Sequence, residues 1–250
     1  MPAIIPLPEE SLISAAKRCD AIYICPKDAE GNRLGDLVVY AGIGTDGNNK
    51  VGDIYFNFAM LEMHQAVVEA YALKICDDIR AAGLENTIDA ICGIPEGGRT
   101  LGQAIARILE KEFIYPTKVP TDTPEGQKQR YAWEFNRFAI APGTRIAVVD
   151  DVNNSFTNTD TVLGLIKAAG GIATALLSAL NRSVEIRNAY IPKDTALGEM
   201  LPVIAAINEP YPEFNQSDDA VKGDIAAGKL ELKVKANWPR LKAIMEKHAA

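Results

Sequence analysis

Two adjacent carboxylates, Asp150 and Asp151, close a short apolar run, residues 146–149, and precede a stretch of hydroxyls and amides, residues 153–158. An apolar run of this kind suits a strand buried on both faces. Val162, Leu163, Leu165 and Ile166 then recur at helical spacing, and Gly170 with Gly171 ends that helix. Strand, acidic pair, polar loop and helix describe a ligand-binding turn at the carboxyl edge of a parallel sheet. The first N–H groups of a helix lack partners, and the helix dipole favours an anion beside them. Asn154, Ser155, Thr157, Asn158 and Thr159 surround that point, so a phosphate monoester fits the cup. The aspartates cannot bind phosphate themselves. They suit the hydroxyls of a sugar, or a hydrated Mg²⁺ that bridges to a diphosphate. Together the two halves favour a phosphorylated sugar over a lone phosphate. The plainer alternative is that both acids cap the loop and helix.

The elements around this turn follow the same pattern. Residues 88–91 read as a strand, Glu96, Gly97, Gly98 and Arg99 as a loop, and Leu101, Ile105 and Ile108 as the apolar face of a helix. Successive N–H groups at the glycines can form an anion nest, to which Arg99 adds charge; otherwise this is an ordinary tight turn. Residues 113–119 read as one strand. Residues 120–137 are polar, punctuated by proline and glycine, and carry Lys128, Arg130 and Arg137. So long a loop is expected to be a lid or disordered, with Lys118 near its start. Residues 172–180 form another apolar strand, ended by Asn181 and Arg182.

Upstream, Ser11 is placed to cap a short helix. Residues 21–25 and 37–42 read as strands, and the glycine- and asparagine-rich residues 42–53 as a loop. Tyr55, Phe56 and Asn57 lead into a long helix over about 62–82, with Met63, Val67, Val68, Tyr71, Ile75 and Ile79 on its apolar face. Aromatics in such a segment are most often core. Residues 201–207 read as a last strand, and a final helix is expected to bury Trp238, Leu241, Ile244 and Met245.

Composition bounds the function. The chain has 250 residues, 48% of them hydrophobic and 24% charged, which is ordinary for a globular protein with a full core. A net charge of −7 disfavours sequence-independent nucleic-acid binding. No apolar run is long enough for a membrane span, and the N-terminus lacks a signal pattern, so a cytoplasmic address is expected. The four cysteines are dispersed, Cys76 and Cys92 in apolar context, and His64 and His248 are too few to build a zinc site.

The sequence VVDDV, followed by a hydroxyl-rich loop and a helix, resembles the phosphoribosyl-diphosphate (PRPP) signature of the type I phosphoribosyltransferases. The resemblance is strongest to orotate phosphoribosyltransferases and covers roughly residues 50–185. It implies an α/β fold, a mostly parallel sheet flanked by helices with a small hood lobe, within a single domain spanning 1–250. The core would occupy about 50–210, and the N-terminal arm with the extension 211–250 would form a hood or a dimer contact. It further implies PRPP binding by Asp150, Asp151, Asn154, Ser155, Thr157 and Asn158, and a diphosphate loop at Glu96, Gly97, Gly98 and Arg99. Mg²⁺ would sit at Asp150 and Asp151 through water. Tyr55, Phe56 and Arg182 would hold the base, with Arg182 pairing to a carboxylate such as that of orotate. Lys118, Lys128 and Arg130 are the lid cations that would neutralise the leaving diphosphate, in a homodimer. Two positions depart from the pattern. Phe156 stands where the family usually has glycine, so its backbone must find an allowed conformation and its ring a place to go. Gly97 stands where orotate enzymes often have lysine. The implied reaction transfers ribose 5-phosphate from PRPP to a nitrogenous base, orotate first, in pyrimidine nucleotide synthesis. The alternatives are a non-catalytic PRPP or nucleotide sensor on the same fold, and a transferase for another acidic acceptor.

Overall fold

The computed structural model describes residues 4–7, 9–122, 131–194 and 199–248, which leaves Lys128 and Arg130 outside the described residues. The chain forms two compact units. One contains His64–Glu209 and the arm ahead of Leu7; the other combines Leu7–Met63 with Pro210–Ala250.

The second unit begins with helix α1, Leu12–Arg18, whose start is fixed by Ser11: its hydroxyl accepts the Ser14 N–H at 3.1 Å. Strand β1, Ile22–Ile24, precedes β2, Leu37–Ile43, β3, Asn49–Gly52, and β4, Ile54–Phe56, and the short helix α2 covers Phe58–Glu62. β1 pairs with β4, and β2 with β3, all antiparallel. The stretch expected to be a loop over 42–53 therefore holds a strand. Val51 explains it, because its side chain packs into a buried cluster with Leu37 and Val221.

In the first unit, α3 spans Gln65–Ala81 and buries Val67, Val68, Tyr71, Ile75 and Ile79. Met63, expected on that face, precedes the helix and is exposed. There follow β5, Ala90–Gly93; α4, Gly97–Leu109; β6, Glu112–Ile114; β7, Thr117–Pro120; β8, Tyr131–Glu134; β9, Arg145–Asn153; α5, Thr157–Ala168; β10, Ile172–Asn181; β11, Ala189–Tyr190; and β12, Leu201–Asn208. The six-stranded sheet has the order β11-β12-β10-β9-β5-β6, parallel except for β11. Ala90, Cys92, Ile146 and Val148 share one buried cluster with Val162, Leu163 and Ile166 of α5. Ile91 points the other way, where its side chain meets Gly102 of α4. From β5 the chain winds outward to β6; from β9 it winds the opposite way to β10. The topological switch point, where open α/β sheets bind ligands, therefore lies between the carboxyl ends of β5 and β9.

Two readings of this region change. The run 113–119 is two strands, because Tyr115 and Pro116 break it and proline cannot donate to a ladder. β7 leaves the main sheet and pairs antiparallel with β8, Lys118 opposite Trp133. The stretch 120–137 thus contains a strand instead of continuous loop. β9 also runs four residues past its apolar core, because Asp150, Val152 and Asn153 keep register with Ser178, Leu180 and Asn181 of β10.

The chain then returns to the second unit with β13, Glu213–Phe214, on β3; α6, Asp219–Ala226; β14, Leu230–Glu231, parallel to β2; and α7, Trp238–Lys247. α7 buries Leu241 fully but leaves Trp238, Ile244 and Met245 half-buried, short of the burial expected. Arg240 on α7 ties down two buried carboxylates, Asp36 and Glu231.

A third buried acid, Asp53, accepts from Arg33 Nε at 2.5 Å and from Lys27 Nζ at 2.7 Å. Burial pushes its carboxyl up, but Arg33 and Lys27 outweigh that and hold it below the ordinary carboxylate range. The unfolded chain thus takes up the proton first. Asp53 contributes its full stability above about pH 4, and loses it as pH falls through the lower folded value. Urea midpoints measured from about pH 7 down to about pH 3 should fall more steeply for the native chain than for Asp53→Asn; equal slopes would remove Asp53 from the acid response.

Candidate functional site

The loop between β5 and α4 lies directly on the end of β9, and its glycines are what allow it. A Cβ on Gly98 would strike the Val149 carbonyl oxygen, and one on Gly97 would strike the Asp151 carboxylate. A Cβ on Gly93 would lie 2.7 Å from the Gly98 carbonyl oxygen. The Ile94 N–H donates to Val149 O at 2.8 Å, and the Gly98 N–H donates to Ile94 O at 2.9 Å, which stitches the turn to the strand. The Pro95–Glu96 peptide bond is cis. The space that a longer side chain at position 97 would need holds Asp151. The glycine in place of lysine lets the turn come this close to Asp151 without moving it.

Asp150 and Asp151 are both half-buried at the end of β9. Asp150 Oδ1 accepts the Asp151 N–H at 3.0 Å, and Asp151 Oδ1 accepts the Val152 N–H at 2.9 Å. Burial, and then the neighbouring Asp151 carboxylate, push Asp150 well above the usual carboxylate range. Such a pair gains from any ligand that brings hydroxyl donors or positive charge. Its oxygen donors suit a hard cation, and two carboxylates suit one that keeps most of its water, as Mg²⁺ does. Among the described residues there is no cluster of three or more His, Cys, Asp or Glu side chains that would hold a dehydrated metal.

Beyond Asp150 lies a cavity of about 170 Å³, lined by Asp150, Val152 and residues 153–158. Asn154 is half-buried and Ser155, Thr157 and Asn158 are exposed there, with Ser155 Oγ 3.2 Å from Thr157 Oγ1. Among the described residues no side chain caps α5, so its first N–H groups keep their capacity for an anion. Asn153, not anticipated as a ligand residue, lines the same cavity; it is buried, and its Nδ2 has no hydrogen-bond partner among the described residues. A buried donor left in this way costs about 1–3 kcal/mol, a deficit that an anion or water in the cavity would offset.

Phe156 adopts the conformation a glycine would. Its φ is +57° and ψ is +19°, in the left-handed region. The ring is buried and stacks on Tyr190, with centroids 4.6 Å apart and planes 13° apart. A left-handed non-glycine residue costs about 1–3 kcal/mol, which burial of a large ring and the stacking can offset.

The remaining expected residues divide between the units. In the first, Arg182 is buried at the end of β10, and its backbone N–H donates to Asn153 O at 3.0 Å, beside the cup. The Arg99 guanidinium lies over the Tyr115 ring, 4.0 Å from its centroid, and its Nη1 is 3.3 Å from Glu96. Lys118 is exposed on β7. In the second unit, Tyr55 lines a cavity of about 380 Å³ with Val39 and residues 232–236, tilted against Trp238. Phe56 lies beside Phe58.

The chain is 29% identical over 119 residues to the adenine phosphoribosyltransferase of Chlorobium phaeovibrioides, a match covering 43% of this chain and 66% of that enzyme. It is 26% identical over 129 residues to the orotate phosphoribosyltransferase of Carboxydothermus hydrogenoformans, covering 52% and 62% respectively. Among solved structures, Leishmania donovani UMP synthase superposes on 93% of this chain and 41% of its own, with a TM-score of 0.50 at 13% identity, a likeness of fold. The chain is thus similar in sequence to phosphoribosyltransferases over about half its length, and its fold is like that of a solved UMP synthase. No protein-family model matches it, and the match spans less than two thirds of the curated relatives' length. Among the described residues, no helix is long and apolar enough to cross a membrane.

The glycine contacts in this turn generate a paired prediction. Gly98→Ala drives a methyl into backbone and should lower the denaturation midpoint markedly, by about 2–4 kcal/mol. Gly97→Ala meets a side chain that can swing away, so its stability loss should stay near 1 kcal/mol while Asp151 is displaced. Urea melts of both variants test this; the reverse ranking would overturn the packing argument.

Proposed function

We propose that the protein transfers ribose 5-phosphate from PRPP to a nitrogenous base and releases diphosphate. The observation that carries this reading is the acidic pair beside the anion cup at the sheet's switch point, with the glycine turn packed against it. In this reading Asp150 and Asp151 accept hydrogen bonds from the ribose hydroxyls. The α5 N-terminus, with Asn154, Ser155, Thr157 and Asn158, holds the 5′-phosphate. The turn at Glu96, Gly97, Gly98 and Arg99 faces the diphosphate, with Lys118, Lys128 and Arg130 as lid cations. Mg²⁺ held through water by the two aspartates would offset charge on the diphosphate. The rate then comes from positioning, and from complementing positive charge that develops on the ribose and negative charge that develops on the leaving group. The raised Asp150 carboxyl suits that task, since a nearby cation or oxocarbenium ion favours its ionised form. The burial of Phe156 supports a working phosphate loop.

Orotate is the acceptor we favour, because Arg182, buried at the end of β10, suits a carboxylate. Adenine is the second reading, supported by the sequence likeness to an adenine enzyme. A homodimer, with the lid shared between subunits, and a cytoplasmic address belong to the same proposal.

Calorimetric titration of PRPP with Mg²⁺, followed by orotate or adenine, tests the reading. Binding followed by the heat of turnover with one base supports transfer and names the acceptor. Binding without turnover favours a sensor or another acidic acceptor, and no binding would sink the proposal. Asp151→Asn should lower turnover by about a hundredfold or more with little change in melting temperature; unchanged turnover would remove the aspartates from the site.

A further inference from the structure

The first turn of α5 is gripped from the sheet side by one residue that none of the site's chemistry uses. Tyr190 lies on β11, the edge strand that pairs with β12, and is buried to 3% exposure. The face of its ring stacks on Phe156, the residue just ahead of the helix. Its hydroxyl donates to Asp160 Oδ1 at 2.6 Å, and Asp160 is an acid in the helix's first turn. The Asp160 N–H in turn donates to the Phe156 carbonyl oxygen at 3.0 Å. Phe156, Tyr190 and Asp160 therefore close a ring of contacts around the turn whose outward N–H groups and hydroxyls form the anion cup.

Two physical consequences follow. A phenylalanine at φ +57° is held there against its own preference, its ring buried in the core and stacked on Tyr190. A carboxylate in the first turn of a helix is also a competitor, since it is drawn to the N–H groups an anionic ligand would use. Engaged by the Tyr190 hydroxyl, Asp160 stays on the sheet side. We propose that Tyr190 is a positioning residue for the phosphate loop: it clamps Phe156 in the conformation a glycine adopts freely, and it holds Asp160 out of the anion cup. The clamp deepens the transferase reading above and rests on it for the identity of the anion.

The test compares Tyr190→Phe, Phe156→Ala and Phe156→Gly in the full chain, with two readouts. The first needs no ligand: amide hydrogen exchange over residues 154–160 should quicken about tenfold in Tyr190→Phe and Phe156→Ala, with β9 and β10 unchanged. The second is steady-state kinetics with PRPP and Mg²⁺. KM for PRPP should rise about tenfold in Phe156→Ala, the fold-change equivalent of the left-handed penalty, with kcat held within about twofold. Phe156→Gly should lose less affinity than Phe156→Ala, although it removes the same ring, because glycine adopts this φ without penalty. Adding Asp160→Asn to Tyr190→Phe should recover part of the lost affinity by removing the competing charge. Unchanged exchange in the turn, equal KM values for the alanine and glycine variants, or no recovery in the double variant would each overturn the clamp. Quickened exchange in a protein whose native form ignores PRPP would uphold the clamp and remove the transferase reading instead.

Discussion

The close approach of one helix N-terminus to one strand end governs the rest of the site. α4 can begin beside Val149 and Asp151 because Gly93, Gly97 and Gly98 present no Cβ there. That approach sets the start of α4 against the strand end that carries the two aspartates, while the Gly98 and Arg99 N–H groups close the turn on Ile94 O and Glu96 O. The same contact means that a side chain at position 97 needs Asp151 to move.

The aspartates and the anion cup work as opposites held side by side. Burial keeps Asp150 reluctant to ionise, while the uncapped helix and the buried Asn153 amide favour negative charge a few residues later. A ligand that is hydroxyl-rich at one end and anionic at the other satisfies both, and each half of the site excludes what the other accepts.

The sequence made the architecture of this core readable because its signals are local. An apolar strand ending in two acids, a polar loop, and a helix closed by glycines place β9 and α5 without reference to anything distant. What it hid depends on contacts across the chain. The continuation of β9 through Asn153 comes from its ladder with β10, and polar residues carry no strand signal of their own. β3 hides in a glycine- and asparagine-rich stretch because Val51 alone anchors it. Phe156 read as an obstacle in the phosphate loop, since the residue that receives its ring, Tyr190, lies on a two-residue strand with no periodicity to announce it. Asn153 went unnoticed for a related reason: only its burial, with Nδ2 lacking a partner among the described residues, distinguishes it from the other amides of the loop.

The unit that flanks the parallel sheet's stretch of chain is assembled from both sides of it, and this has a consequence for how the protein is made. β2 gains its parallel neighbour β14, and β3 its neighbour β13, only after all of His64–Glu209 has been synthesised. A newly made chain therefore exposes the unpaired edges of β2 and β3 while the parallel sheet is still emerging. Domains tend to fold in the order they leave the ribosome, so these edges wait for strands that arrive last, and their pairing closes a loop as long as the whole intervening unit.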